Sequence, residues 1–188
     1  GAGRKPAGER AGVSHRTRPA LSSGHPVHVT VRIRNGLPRL RCDRMRAAIE
    51  RAFSAGCERL GFRLAQYSIQ ATHLHLIAEA CDQRTLSRGM QGLLVRMARA
   101  LNRAWARKGS VFSDRYHARA LSSPLEVRRA LVYVLHNARH HGLRVAGVDA
   151  YSSGPWFDGW ARSACATKRE FPCTPAKSWL LSLGWRRH

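Results

Sequence analysis

The sequence predicts an α+β domain, an antiparallel sheet of four to five strands flanked by helices. Three observations carry this reading. Residues 25–34 alternate Val27, Val29, Val31 and Ile33 against His28, Thr30, Arg32 and Arg34, the period-two pattern of a half-buried strand. Residues 62–70 and 72–80 form two further strand-like runs, and the turn between them is short enough to pair them antiparallel. Residues 83–107 and 124–141 carry apolar stripes at helical spacing.

The chain has 188 residues. That length suits one domain of about 100–150 residues plus arms. A hydrophobic content of 44% is enough to pack a core. The formal charge is +22, from 33 Lys+Arg against 11 Asp+Glu. Such an excess implies a polyanionic partner, with nucleic acid first. Ribosomal and membrane-surface proteins are basic too, so charge alone names no function. Arginine supplies nearly all of it. Arg binds phosphate bidentately and stacks on bases, while a GC-rich genome raises Arg content without any function.

The five cysteines, Cys42, Cys57, Cys81, Cys165 and Cys173, form no C-x-x-C pair and are odd in number. This argues against a zinc ribbon or disulfide scaffold and for a reducing cytosol; a cytoplasmic, nucleoid-associated location is expected. No apolar run approaches the ~20 residues that span a membrane, and the basic N-terminus lacks the hydrophobic segment of a signal peptide. The chain begins at Gly1 and stops just after Trp185-Arg186-Arg187-His188, so one or both natural ends are expected to lie beyond it.

Taken in order, residues 1–24 are rich in Gly, Arg, Ser and Pro and read as a flexible basic arm. It is equally a solvated tail or a phosphate-tracking arm with salt-dependent affinity. The polar face of the 25–34 strand, with Arg32 and Arg34, is a candidate DNA contact, although most such faces are simply solvated. Asn35-Gly36-Leu37-Pro38 is a turn. Residues 41–60 show helical spacing through Met45, Ala48, Ile49, Ala52, Phe53 and Leu60, with Gly61 as the stop.

In the 83–107 helix, Leu86, Met90, Leu93, Leu94, Met97, Leu101 and Trp105 form the core stripe. The arginines around it are expected to form a solvated face, a subset of them on DNA. Residues 110–121 read as an extended segment placing Arg115, His117 and Arg119 on one face, where they are candidate DNA contacts. Ser123 then caps a helix that opens with Pro124 and carries Glu126 in its first turn. Its stripe is Val127, Ala130, Leu131, Val134, Leu135 and Ala138, and Gly142 ends it. Residues 143–188 hold four of the five tryptophans among Pro, Ser and Gly. Aromatics beside Arg can stack on unpaired bases; for most of these tryptophans, pinning an irregular tail to the domain is the favoured reading.

The chemistry centres on Thr72-His73-Leu74-His75-Leu76-Ile77. In a strand, His73 and His75 stand side by side while Leu74 and Leu76 face the core. Two imidazoles presented together make half of a divalent-metal site, although a pair of His on a strand is often only a sheet-face pair. Asn137 is the candidate for the other half. Tyr133 and Asn137 lie one helical turn apart, on one flank of the apolar stripe, with His140 a turn further on. Glu79 shares the His face if the strand stays regular; an exposed strand end is the favoured reading over a supporting carboxylate.

His-hydrophobic-His followed by Tyr-x-x-x-Asn resembles the single-tyrosine HUH transposases, in particular the REP-associated tyrosine transposases and their insertion-sequence relatives. The resemblance runs from about His25 to Trp160 and includes Val27-His28-Val29-Thr30, Gly89-Met90-Gln91-Gly92-Leu93, Val111-Phe112-Ser113-Asp114-Arg115-Tyr116-His117 and Tyr133-Val134-Leu135-His136-Asn137. It implies a ferredoxin-like topology, a catalytic domain over 25–142, and a Trp-rich basic extension over 143–188. It implies Tyr133 as the nucleophile, with His73, His75 and Asn137 holding Mg²⁺ or Mn²⁺. The implied substrate is single-stranded DNA beside a hairpin, cut through a 5′-phosphotyrosine intermediate that leaves a free 3′-OH. Relatives act as monomers or as homodimers, and the sequence leaves both open. Thr72 stands where relatives often have Asn, and Ala138 where they often have Pro; neither change removes a ligand. A relative that grips DNA hairpins without cutting, and a basic RNA-binding protein, are the alternatives.

Overall fold

In the computed structural model, residues 20–140, 147–161 and 167–187 are described. Within them the chain runs β1 (Val27–Arg32), α1 (Asp43–Ser54), β2 (Glu58–Arg59), β3 (Phe62–Ile69), β4 (His73–Ala80), α2 (Gln83–Ala104), β5 (His117–Ala120), α3 (Pro124–Leu135), α4 (Asn137–His140) and a short α5 (Trp179–Ser182). The five strands form one sheet in the order β2-β3-β4-β1-β5, every neighbouring pair antiparallel. Strand β4 therefore inserts between β1 and β3, which α1 connects, and β5 closes the other side of β1. This is the split βαβ arrangement of a ferredoxin-like sheet, with β2 added at the edge.

Alternation along the strands sends apolar side chains to both faces. On one face Val27, Val29, Val31, Leu74, Leu76 and Ala78 meet α1 and α2 in the larger core. On the other face Ile77 and Ala65 meet Val127, Ala130, Leu131, Val134 and Leu135 of α3. A bulge between Leu64 and Gln66 shifts the register of β3 against β4. One extra residue flips the phase of alternation, so Leu64 and Tyr67 both point into the larger core while Ala65 joins the α3 side.

The helix starts follow local chemistry. Asp82 caps α2 by accepting the Thr85 N–H at 2.7 Å. Ser123 caps α3 by accepting the Glu126 N–H at 3.3 Å, with Pro124 in the first turn.

Three boundaries differ from the sequence expectation. Helix α1 stops at Ser54, and Leu60 is fully exposed at the β2–β3 turn, where Gly61 takes φ +76°. Strand β5 covers only His117–Ala120, with an isolated bridge from Phe112 to Ile33 preceding it. The helix expected over 124–141 is interrupted at His136, which leaves helical geometry at φ −102°, ψ 8°. The arm up to residue 19, the side chain of His140, Gly142 and Cys165 lie outside the described residues.

The region after α4 folds back onto the sheet. Ser152 bridges Ser68, the Ile69 N–H donates to Tyr151 O at 2.7 Å, and the Ser153 N–H donates to Tyr67 O at 3.0 Å. Arg41 and Asp149 form a two-pronged ion pair at 2.7 and 3.0 Å that fastens this segment beside the end of β3. Further on, Cys173 enters the larger core and Leu180 and Leu181 enter the α3 cluster. Glu79 is buried rather than an exposed strand end; its carboxylate accepts the N–H groups of Lys177 at 2.9 Å and Ser178 at 2.8 Å. It thereby holds the entry to α5, whose cap is Ser178.

Among the α2 arginines, Arg96, Arg99 and Arg103 wall a groove together with Arg44 and Arg51 of α1, over a floor of alanines. No helix of the described residues is long and apolar enough to cross a membrane.

Candidate active site

The register of the sheet builds the site. On the face toward α3, His117, Thr30, His75 and Ser68 form one row across β5, β1, β4 and β3. Arg32 stands opposite His73, and His28 stands opposite Ile77 and Arg119. The two histidines of β4 pack with ring centroids 4.8 Å apart and planes at 89°. Helix α3 lays Tyr133 over them. Its ring meets His75 edge-on at 5.0 Å and His28 at 5.7 Å, while the side chain stays 40% exposed. Tyr133 thus joins a cluster of imidazoles and remains partly open to solvent.

His75 is buried, and its Nδ1 lies 3.1 Å from His28 Nε2 and 3.2 Å from Thr30 Oγ1. A metal bound at Nε2 of a histidine needs a proton on Nδ1 and an acceptor for it. His28 Nε2 and Thr30 Oγ1 both stand where that acceptor must be. His28 itself is pushed down to about 4, first by burial and then by the charges of His117 and Arg119. It is therefore neutral at pH 7 and can accept a hydrogen bond. Periodicity put His28 and Thr30 on the polar face of their strand but gave no reason to bring them to His75; cross-strand register supplies that reason.

Asn137 is fully buried at the start of α4, and among the described residues neither its Oδ1 nor its Nδ2 has a hydrogen-bond partner. A buried amide left without partners costs about 1–3 kcal/mol per group, so this amide fits a ligand role. Among the described residues no group of three or more His, Cys, Asp or Glu side chains has metal-holding geometry. A metal here would draw on two imidazoles and an amide oxygen, the donor set His73, His75 and Asn137.

The candidate DNA contacts divide. Arg32 and His117 are exposed on the His face, in register with His73 and Thr30. Arg119 is exposed but pairs with Glu126 at 2.6 Å. That carboxyl is held down at about 2 by the Ser122 N–H and hydroxyl and by Arg119. Arg34 and Arg115 are exposed outside the strands, beyond β1 and before β5. On the far side of α3, His136 packs edge-on against Trp160 at 5.1 Å, a contact that periodicity does not announce.

Comparison with known proteins bears on the family and the fold. A family model described as "Transposase IS200 like" matches residues 22–137. The fold is similar to a REP-associated tyrosine transposase solved bound to a REP hairpin, with TM-score 0.55 and 19% identity over 75% of this chain and 82% of that one. A protein from Deinococcus radiodurans R1, provisionally described as a transposase, matches at TM-score 0.45 and 15% identity over 71% and 98% of the two chains. Among curated proteins, none matches the chain.

Proposed function

The chain belongs to the IS200-like transposase family, and from that premise we propose that it cuts and rejoins single-stranded DNA with Tyr133 as the nucleophile. The observation that carries the reading is the partly exposed Tyr133 ring standing over His75, 5.0 Å between centroids.

In the proposed reaction the Tyr133 oxygen attacks the phosphorus and loses its proton. The P–O3′ bond breaks, and the departing oxygen takes up a proton to leave a free 3′-OH. The 5′ phosphate stays on Tyr133 as a phosphodiester, which keeps the bond energy for rejoining. Attack by a 3′-OH on that phosphotyrosine restores the tyrosine and joins the strand. His73, His75 and Asn137 would hold a divalent metal, Mg²⁺ or Mn²⁺, which when bound would supply charge stabilisation for the phosphate and the leaving oxygen. His28 and Thr30 orient His75 through its Nδ1, and Arg32 and His117 lie on the same face to meet the strand's phosphates. A relative in fold was solved with a REP hairpin, so hairpin-flanked single strands are the substrates to try first.

The test is covalent capture. Wild type and Tyr133→Phe are incubated with labelled hairpin-flanked single strands in Mg²⁺, Mn²⁺ or EDTA and run on denaturing gels. A protein–DNA band that needs both Tyr133 and metal is expected. Hairpin binding without any such band would replace this reading with that of a binding module.

A further inference from the structure

Helix α3 has a second working flank. While Tyr133 faces the histidines, Arg128, Val132 and His136 form one wall of a cleft of about 420 Å³. The opposite wall is aromatic: Phe157, Trp160 and Trp185. Phe157 meets Trp160 at 5.3 Å and 79° and Trp185 at 5.3 Å and 30°. Trp160 is fixed by its indole N–H, which donates to Gly154 O at 2.8 Å, and by its edge contact with His136.

The convergence of these rings depends on Gly159. A Cβ there would fall 2.2 Å from the Trp185 ring and 2.6 Å from Phe157. The rim is cationic. Arg186 stands over the Trp185 ring at 4.8 Å and pairs with Asp158 at 2.6 Å. Arg128 is exposed and, among the described residues, has no ion pair. Val132 is 49% exposed on the cleft wall, an apolar surface on α3 that no described residue covers.

We propose that this cleft takes an unpaired nucleobase of the strand being cut, from a nucleotide flanking the attacked phosphate. The proposal rests on the reading that Tyr133 attacks single-stranded DNA. Aromatic walls suit a flat π-face, the Asp158 carboxylate and the His136 ring offer polar groups to a base edge, and Arg128 at the rim suits the phosphate that follows. Position argues the same way. Val132 and Tyr133 are consecutive, so their side chains leave one helix about 100° apart, and a strand held at Tyr133 passes the mouth of the cleft. An apolar side chain from a protein partner would fill the aromatic slot but leave the rim arginine uncompensated.

The experiment takes an oligonucleotide that wild type captures covalently and replaces its bases, one at a time around the cut, with abasic residues. Binding is measured with Tyr133→Phe protein, which leaves the DNA intact. Loss of one particular base is expected to weaken binding about tenfold, the size of one stacking contact. Adding Val132→Phe, which fills the cleft from an exposed position, is expected to weaken the intact oligonucleotide by a similar factor. It should also erase the difference made by that one abasic residue, with thermal unfolding unchanged. The pocket is overturned if no abasic position stands out, or if Val132→Phe leaves the abasic profile as it was. Failure of wild type to capture any strand overturns the Tyr133 reading, and the pocket with it; capture that is indifferent to the cleft overturns the pocket alone.

Discussion

The Tyr133 ring lies edge-on to the His75 imidazole, 5.0 Å between centroids and 80° between planes. The two side chains come from α3 and from the central strand β4, and their contact is where the helix layer meets the sheet. An edge contact of this kind is made by the ring.

Replacing Tyr133 with Phe keeps that ring and removes only the oxygen. With the side chain 40% exposed, the folded state is expected to change by less than about 0.5 kcal/mol, as for most surface substitutions. Covalent capture should vanish completely. Thermal unfolding and the capture gel, run on one preparation, check both halves; a large loss of stability would mean the hydroxyl has a structural task.

His28 predicts an acid limb in stability. Its value in the fold is about 4 against an ordinary 6.5, with burial as the main cause. Between those pH values the unfolded chain binds the proton and the folded one does not, so stability falls as pH drops from about 6.5 toward 4 and is unaffected by this group above 6.5. The shift corresponds to a loss on the order of 3 kcal/mol at full protonation. Urea unfolding across this range should show the slope in wild type and a shallower one in His28→Gln.

Asp149→Ala strands the Arg41 guanidinium at a site where both partners are largely buried, 14% and 5% exposed. Removing one member of such a pair costs about 3–5 kcal/mol. Because Arg41 also donates to Ile69 O at 2.9 Å, the loss should loosen the 147–153 segment and the end of β3 together. Hydrogen exchange at Ile69 and Ser153, whose N–H groups cross between the two, is the measurement that tells local loosening from global unfolding.

Gly89→Ala sets two effects against each other. In the interior of α2, Ala is favoured over Gly by about 1 kcal/mol. Yet a Cβ at this position would sit 2.1 Å from the Phe62 ring, which is itself 2% exposed in the core. Overpacking of this kind costs about 1–3 kcal/mol, so net destabilisation is expected from chemical denaturation. A more stable variant would mean that Phe62 can move aside.

Much of this was legible in the chain. Alternation placed His73 and His75 on one face and Leu74 and Leu76 on the other, and the structure keeps both. The Ser123–Pro124–Glu126 start of α3 follows from residue chemistry alone. These relations are local: i, i+2 in a strand and the first turn of a helix are fixed by backbone geometry. The helix expected to run through 141 was not so fixed. No breaker residue stands at His136, and the ring's contact with Trp160 comes from a distant part of the chain.

Sequence by itself determined β1, β3, β4 and the bodies of α1, α2 and α3, the shared face of the two β4 histidines and the cationic character of the chain. Tertiary structure alone decided that His28 and Thr30 meet His75, that Glu79 holds Lys177 and Ser178, that Arg41 finds Asp149, and that an aromatic cleft opens beside Tyr133. The physical reason is the range of the constraint. Periodicity is set within a few residues by the backbone, whereas register and docking are set by which buried surfaces fit once the whole chain has closed on its core.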